Sequence, residues 1–268
     1  MSNQASILLI GCGNMGQALL RGWLENGWAQ TGIHVLEPDA AAQSTVESLG
    51  VSVSGTVTPD VHPDVAVLAV KPQQLDAVLP NYRHLVETGC LFLSIAAGKP
   101  ISFYEGVLGA QAAIVRGMPN TPAAIGQSMT VLVGNAAVGP AQRETSEALM
   151  AAVGRVAWLE DEGLMDAVTG VSGSGPAYVF LLIECLSEAG VEMGLSRELA
   201  GELALTTVAG AGALALSSGV GAAELRRRVT SPGGTTAAAL EVLSAPGGLQ
   251  ELMKRAVRAA TERGRDLA

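Results

Sequence analysis

The sequence predicts an α/β fold: a doubly wound, mostly parallel sheet over residues 1–160, then an all-α domain over residues 161–268. Three observations predict it. Short apolar runs alternate with helix-period segments as far as about Glu160. A glycine-rich turn separates the first run from the first helix. Beyond Glu160 no strand pattern recurs, and long Ala/Leu/Gly-rich helical segments take over. Strands alternating with helices imply parallel crossover units with helices on both faces of one sheet.

The elements follow in order. Ser6–Ile10 is an apolar run that stops at Gly11, and Asn14–Trp28 follows with helical spacing. Ile33–Glu37, Asp64–Val70, Cys90–Ile95 and Ala112–Arg116 read as further buried strands. Ala40–Leu49, Pro72–Leu79 and Ile101–Leu108 read as helices between them; Pro72 is tolerated in a first turn, where its missing N–H has no intrahelical partner. Ser128–Val133 and Val153–Trp158 are expected as edge strands around a helix from Pro140 to Ala152. The C-terminal helices are expected at Gly175–Met193, Ser196–Ser217, Gly233–Leu243 and Gly247–Leu267. Their many small residues favour close backbone approach and leave few large side chains for a core. Homo-oligomerisation through this domain is expected to complete it.

Composition narrows the function. The net charge is −9, with 25 acidic against 16 basic residues, and the only lysines are Lys71, Lys99 and Lys254. A nucleic-acid binder needs a basic surface, so that class is excluded. Cys12, Cys90 and Cys185 are far apart and form no CxxC pair, which argues against a zinc site or disulfide framework and for a reducing cytoplasm. Met1 to Ser6 lack the basic start of a signal peptide. Leu203–Ala223 is charge-free and long enough to span a bilayer. Its Gly, Ser and Thr content makes it only weakly apolar, so the expectation is a buried, closely packed helix and no membrane.

Gly11-Cys12-Gly13-Asn14-Met15-Gly16 is a GxGxxG turn between the first strand and first helix. Gly11 permits the tight turn, Gly13 admits a pyrophosphate to the backbone, and Gly16 lets helix and strand pack closely. The helix N-terminus then offers free N–H groups and positive dipole to phosphate. About 20 residues further on, Glu37 ends the second strand, where the dinucleotide fingerprint places an acid. This is the signature of a Rossmann dinucleotide site. A carboxylate there accepts hydrogen bonds from the ribose diol of NADH and repels the extra phosphate of NADPH, and no Lys or Arg lies between Pro38 and Val70 to offset it. The alternative is a Glu37 that faces solvent.

Segments along nearly the whole chain resemble the pyrroline-5-carboxylate reductases. They are Gly11–Gly16, Ala69-Val70-Lys71-Pro72, Ser94-Ile95-Ala96-Ala97-Gly98, Arg116-Gly117-Met118-Pro119-Asn120-Thr121-Pro122, Val168 to Tyr178, and Ser231-Pro232-Gly233-Gly234-Thr235-Thr236. The resemblance implies a Rossmann domain plus an all-helical dimerisation domain, and reduction of 1-pyrroline-5-carboxylate to L-proline by NADPH or NADH. It implies that Ala69, Val70, Lys71, Pro72, Ser94, Ala96 and Ala97 line the cofactor channel, with Asn120 and Glu162 near the cofactor. It also places Thr236 beside the imine nitrogen. From position alone, Lys71 reaches ribose or phosphate, or else caps a strand end at the surface. Glu162, taken by itself, is a lone acid. In place of an acidic or histidine-containing turn common in the family, this chain has Gly219-Val220-Gly221-Ala222-Ala223.

The residues rationalise that activity independently. Ser231 to Thr236 is a Pro-set turn in which Gly233 and Gly234 expose N–H groups beside the hydroxyls of Thr235 and Thr236, an anion nest for a small carboxylate. An ordinary N-cap is the other reading. A protonated C=N is already electrophilic, so no strong protein acid is obligatory. His34, His62 and His84 are expected in or beside surface loops and solvated. Arg226-Arg227-Arg228 either attracts an anionic substrate or forms a solvated helix face. Two rivals remain. A β-hydroxyacid dehydrogenase would need a Lys and an Asn where Val179 and Ile183 stand, because an alcohol requires a proton handler. A non-catalytic dinucleotide sensor would have no use for the Ser231–Thr236 nest.

Overall fold

A computed structural model describes residues 5–56 and 61–267; Met1 to Gln4, part of the stretch read above for a leader, lie outside them. The chain divides into two compact units, Met1–Gly173 with Ala260–Ala268, and Ser174–Ala259. The strand pattern ends near Glu160, whereas the compact division falls at Gly173.

Among the described residues, the first unit carries one eight-stranded sheet: β1 (Ile7–Ile10), β2 (Ile33–Leu36), β3 (Ser52–Ser54), β4 (Val65–Leu68), β5 (Leu91–Ser94), β6 (Ala113–Met118), β7 (Ser128–Gly134) and β8 (Gly154–Trp158). The spatial order is β3-β2-β1-β4-β5-β6-β7-β8, and every pairing is parallel except β6 with β7. Ile7 and Leu9 enter one core cluster while Leu8 and Ile10 enter the other, so both faces of β1 are buried. That double burial is what a continuous Ile-Leu-Leu-Ile run requires. β7 is not an edge strand as expected: it lies between β6 and β8. The Pro119–Gln127 connection is too short for a crossover helix, so β7 must return antiparallel. The edges are β8 and the short, polar β3, which the apolar pattern does not mark.

The helices of this unit are α1 (Asn14–Glu25), α2 (Ala40–Ser48), α3 (Leu75–Val78), α4 (Ile101–Leu108), α5 (Pro140–Ala151) and α6 (Met165–Val168). α1 buries Ala18, Leu19, Leu20 and Trp23 at helical spacing, each large side chain contributing about 1.5–3 kcal/mol. Trp23 Nε1 also donates to Leu149 O at 2.9 Å, tying α1 to α5. α1 stops at Glu25 rather than Trp28. The expected Pro72–Leu79 helix is a 3-10 turn (Pro72–Gln74) running into α3, with a further 3-10 stretch over Leu79–Thr88. Thr169–Gly173 forms a π turn.

The second unit holds α7 (Gly175–Glu192), α8 (Arg197–Ser218), α9 (Ala222–Arg228), α10 (Thr235–Leu243) and most of α11 (Leu249–Asp266). α7 and α8 pack closely: a Cβ on Gly190 would stand 3.1 Å from Ala200 Cβ. Of α8 only Ala200 and Ala204 are buried, while Phe180 of α7 is 59% and Leu216 of α8 is 67% exposed. The expectation that Leu203–Ala223 is buried is therefore not met within one chain. Past Glu202, α8 carries no charged residue on any side, and α7 alone cannot cover a helix of that kind. By length and composition α8, and the run Glu162–Glu192 that contains α7, are apolar enough to cross a membrane.

Candidate active site

The glycine-rich turn has the geometry its residue types demand. Gly11 adopts φ +89°, which L side chains avoid, and a Cβ there would stand 3.0 Å from Ala69 O. A Cβ on Gly16 would stand 2.5 Å from Gly11 O, so helix and turn touch backbone to backbone. Gly13 differs: nothing lies within 4 Å of its Cβ position, and it is the N-cap of α1. Gln17 N–H is bonded back to Gly13 O at 2.8 Å, and the N–H groups of Asn14, Met15 and Gly16 belong to the helical turn that lacks intrahelical acceptors. The open space at Gly13 therefore meets a set of aimed donors, which fits a pyrophosphate. Met15 contributes through its backbone, since its side chain packs on the core.

Glu37 does not face solvent. It is 8% exposed; Oε2 accepts from Cys12 N–H at 2.6 Å and Oε1 from Asp39 N–H at 2.9 Å. The carboxylate thus braces the glycine turn and keeps lone pairs free toward a cleft of about 290 Å3, lined by Gly11, Gly13, Glu37, Ala69, Val70 and Lys71. A carboxylate at that cleft fits a ribose diol. Burial, with Glu37 adding to it, pushes the Cys12 thiol up to about 11, so Cys12 is no nucleophile at neutral pH. Lys71 is exposed at the cleft.

Pro72 and Ala97 line a second cleft of about 410 Å3, with Lys99, Asp166, Thr169 and Leu267. Ala96 is buried. Ser94 is fully buried too, and its hydroxyl meets Tyr104 Oη at 2.6 Å, so it is not an open channel wall. Asn120 Nδ2 donates to Ser172 O and Oγ at 3.3 and 3.2 Å, while its Oδ1 accepts from Met129 N–H at 3.0 Å; it fastens its loop to the π turn. Glu162 is not a lone acid. Its Oε1 accepts from Arg116 Nη1 at 2.9 Å and from Ile101 N–H, at the start of α4, at 2.8 Å. Arg116 is the residue that sequence reasoning passed over. Its signal is an Arg directly after the apolar run Ala113–Val115, a position that a buried strand tolerates only with a partner.

In the second unit, Ser231 to Gly234 make a turn closed by Gly234 N–H to Ser231 O at 3.1 Å, with Pro232 second and Gly233 third at φ +67°. That is the type II pattern. Gly234 is the N-cap of α10, and a Cβ on it would strike Ser231 Oγ at 2.5 Å. Ala238 N–H bonds back to Gly234 O at 3.2 Å, leaving the N–H groups of Thr235 and Thr236 in the unbonded first turn. Arg227 and Arg228 both pair with Glu224 of their own helix, as on a solvated face. His34 lies on β2, within the strand expected at Ile33–Glu37, with its ring nitrogens 3.0 and 2.9 Å from Ser52 and Ser54 Oγ; His62 and His84 are exposed.

A dinucleotide-binding α/β domain coupled to an all-helical domain is the class this fold and site define. Comparison with known proteins is specific. Residues 162–267 match the family profile described as pyrroline-5-carboxylate reductase dimerisation, and residues 6–98 match one described as NADP oxidoreductase, coenzyme F420-dependent. A pyrroline-5-carboxylate reductase of Pseudomonas aeruginosa is 44% identical over 264 residues, covering 98% of this chain and 96% of its own. The solved reductase of Coxiella burnetii superposes with a TM-score of 0.94 at 37% identity, covering 99% of both chains. That of Plasmodium falciparum, solved with NADP bound, gives 0.85 at 29% identity, covering 100% of this chain and 99% of its own. The chain belongs to the pyrroline-5-carboxylate reductase family.

Proposed function

We propose that this chain reduces the C=N bond of 1-pyrroline-5-carboxylate to give L-proline, using NADH or NADPH. The observation that carries the reading is the Ser231–Thr236 turn. Its Gly233 and Gly234 are shaped for an anion cradle, within a chain that matches reductases of this name end to end. When bound, the reduced nicotinamide supplies the hydride. The protein's share is binding and orientation. The first turn of α1 holds the pyrophosphate, and Glu37 meets the adenosine ribose. Ala69, Val70, Lys71, Pro72, Ala96 and Ala97 border the channel, while Asn120 and Glu162 hold its surrounding loops. The backbone N–H groups after Gly234, with Ser231, Gly233 and Thr235, take the substrate carboxylate. Thr236 stands at the ring nitrogen, where its hydroxyl accompanies the proton of the new amine.

Residues 161–268, of which Ser174–Ala259 form the compact second unit, supply dimerisation and substrate binding, and a second copy covers the exposed faces of α7 and α8, giving a homodimer or a higher homo-oligomer. Three scattered cysteines fit a cytoplasmic setting. The test is oxidation of NADH and of NADPH by the purified protein with and without 1-pyrroline-5-carboxylate. Imine-dependent turnover is expected, with Thr236→Ala lowering kcat more than cofactor affinity. Tight cofactor binding without turnover would instead identify a sensor.

A further inference from the structure

A buried polar chain lies behind the Ile95–Gly98 turn. Ser94 ends β5, and its Oγ both meets Tyr104 Oη at 2.6 Å and accepts from Ala96 N–H at 3.3 Å. Tyr104 sits one turn into α4. The first N–H of that helix is held by Glu162, and Glu162 holds Arg116, the cross-strand partner of Ser94 in the β5–β6 register. Ser94 and Tyr104 are both fully buried. A phenylalanine at 104 would fill the same volume and bring no polar group that needs a partner, so packing alone does not account for the hydroxyl. Burial pushes the Tyr104 phenol up to about 12, which keeps it protonated and its hydrogen bond intact through the neutral range.

We propose that Tyr104 is a positioning residue for the reduction: through the Ser94 hydroxyl it fixes the Ala96 N–H, and with it the Ile95–Gly98 turn bordering the cofactor channel. The inference rests on the reductase reading for its kinetic consequence, and on the hydrogen bonds alone for its structural one. The ion pair of Glu162 with Arg116 sets where α4 begins, hence where Tyr104 reaches β5. A turn held from behind in this way keeps its place without spending a side chain on the channel itself.

The test compares full-length wild type with Tyr104→Phe, Ser94→Ala and the double variant. Amide hydrogen exchange in the 95–98 segment should quicken several-fold in Tyr104→Phe while exchange in α1 stays unchanged. kcat should fall about tenfold with little change in KM for the imine, since small misplacements at a reacting centre are costly. The double variant should match Ser94→Ala alone, because the two groups act through one bond. Unchanged exchange at 95–98, or kinetic losses that multiply in the double variant, overturns the proposal. An inactive wild type would refute the reductase reading separately, and the exchange comparison would still decide whether Tyr104 holds the turn. Should Tyr104→Phe not fold, Ser94→Ala carries the same exchange comparison.

Discussion

Removing the Glu162 carboxylate isolates a buried cation. In Glu162→Ala the Arg116 guanidinium, with a side chain only 6% exposed, loses the partner at 2.9 Å. Ile101 N–H loses its acceptor in the same step. Breaking one side of a buried ion pair costs about 3–5 kcal/mol, and loss of a helix N-terminal acceptor about 1 kcal/mol. Glu162 is itself 28% exposed, so water softens the loss and the total should lie near the lower end, about 3 kcal/mol. In a chain of this size each 1 kcal/mol moves Tm by roughly 2–4 °C, so a fall of about 6–12 °C is expected. Urea and thermal melts followed by tryptophan fluorescence would measure it, at one fixed protomer concentration because association adds to apparent stability. Arg116→Leu combined with Glu162→Leu should recover most of the loss, since an apolar pair leaves no unpaired charge. A loss below about 1 kcal/mol in Glu162→Ala would refute the reasoning, because Arg116 would then have compensation elsewhere.

Three other outcomes are expected. Gly13→Ala should leave Tm within about 0.5 kcal/mol equivalent yet weaken dinucleotide binding by calorimetry, whereas Gly16→Ala, forced against Gly11 O, should destabilise by about 1–3 kcal/mol. Equal effects on stability would contradict the division of labour in the turn. Glu37→Ser should shift the kcat/KM ratio toward NADPH by about tenfold or more, the factor that 1.4 kcal/mol supplies; a fixed ratio would mean that bracing the turn is its whole role. Burial lowers the His34 pKa below its usual 6.5, so the unfolded chain binds the proton more readily. Stability should therefore be full above pH 6.5 and decline as pH falls from 6.5 toward the depressed folded value. His34→Asn should flatten that slope, and an unaltered slope would assign it to other groups.

What the sequence made legible, and what it did not, follows from range. The Gly11–Gly16 turn, the strand that stops at Gly11 and the acid about 20 residues on are local patterns, and each has a steric or electrostatic reason visible in neighbouring residues. α4 is met at its expected bounds, Ile101–Leu108, because apolar spacing alone delimits it. β3 escaped notice because Ser52-Val53-Ser54 is short and mostly polar, held only as an edge beside β2. The position of β7 depended on the sense of pairing, which alternation does not encode. Glu162 looks solitary in the sequence because Arg116 lies 46 residues earlier, and nothing local pairs Ser94 with Tyr104, ten residues on and inside the next helix. Composition predicts burial for Leu203–Ala223 because it registers the need for cover and not its source.

The close of α11 has a practical consequence for anyone preparing the protein. Its last turns belong with the first unit, Gly264 abuts Asp166, and a Cβ on Gly98 would stand 3.2 Å from Leu267 O. An affinity handle fused behind Ala268 would follow closely on Leu267, which sits beside the Ala97–Gly98 bend. A handle ahead of β1 starts from the opposite rim of the sheet, since β1 runs from Ile7 toward Gly11 and the dinucleotide cleft.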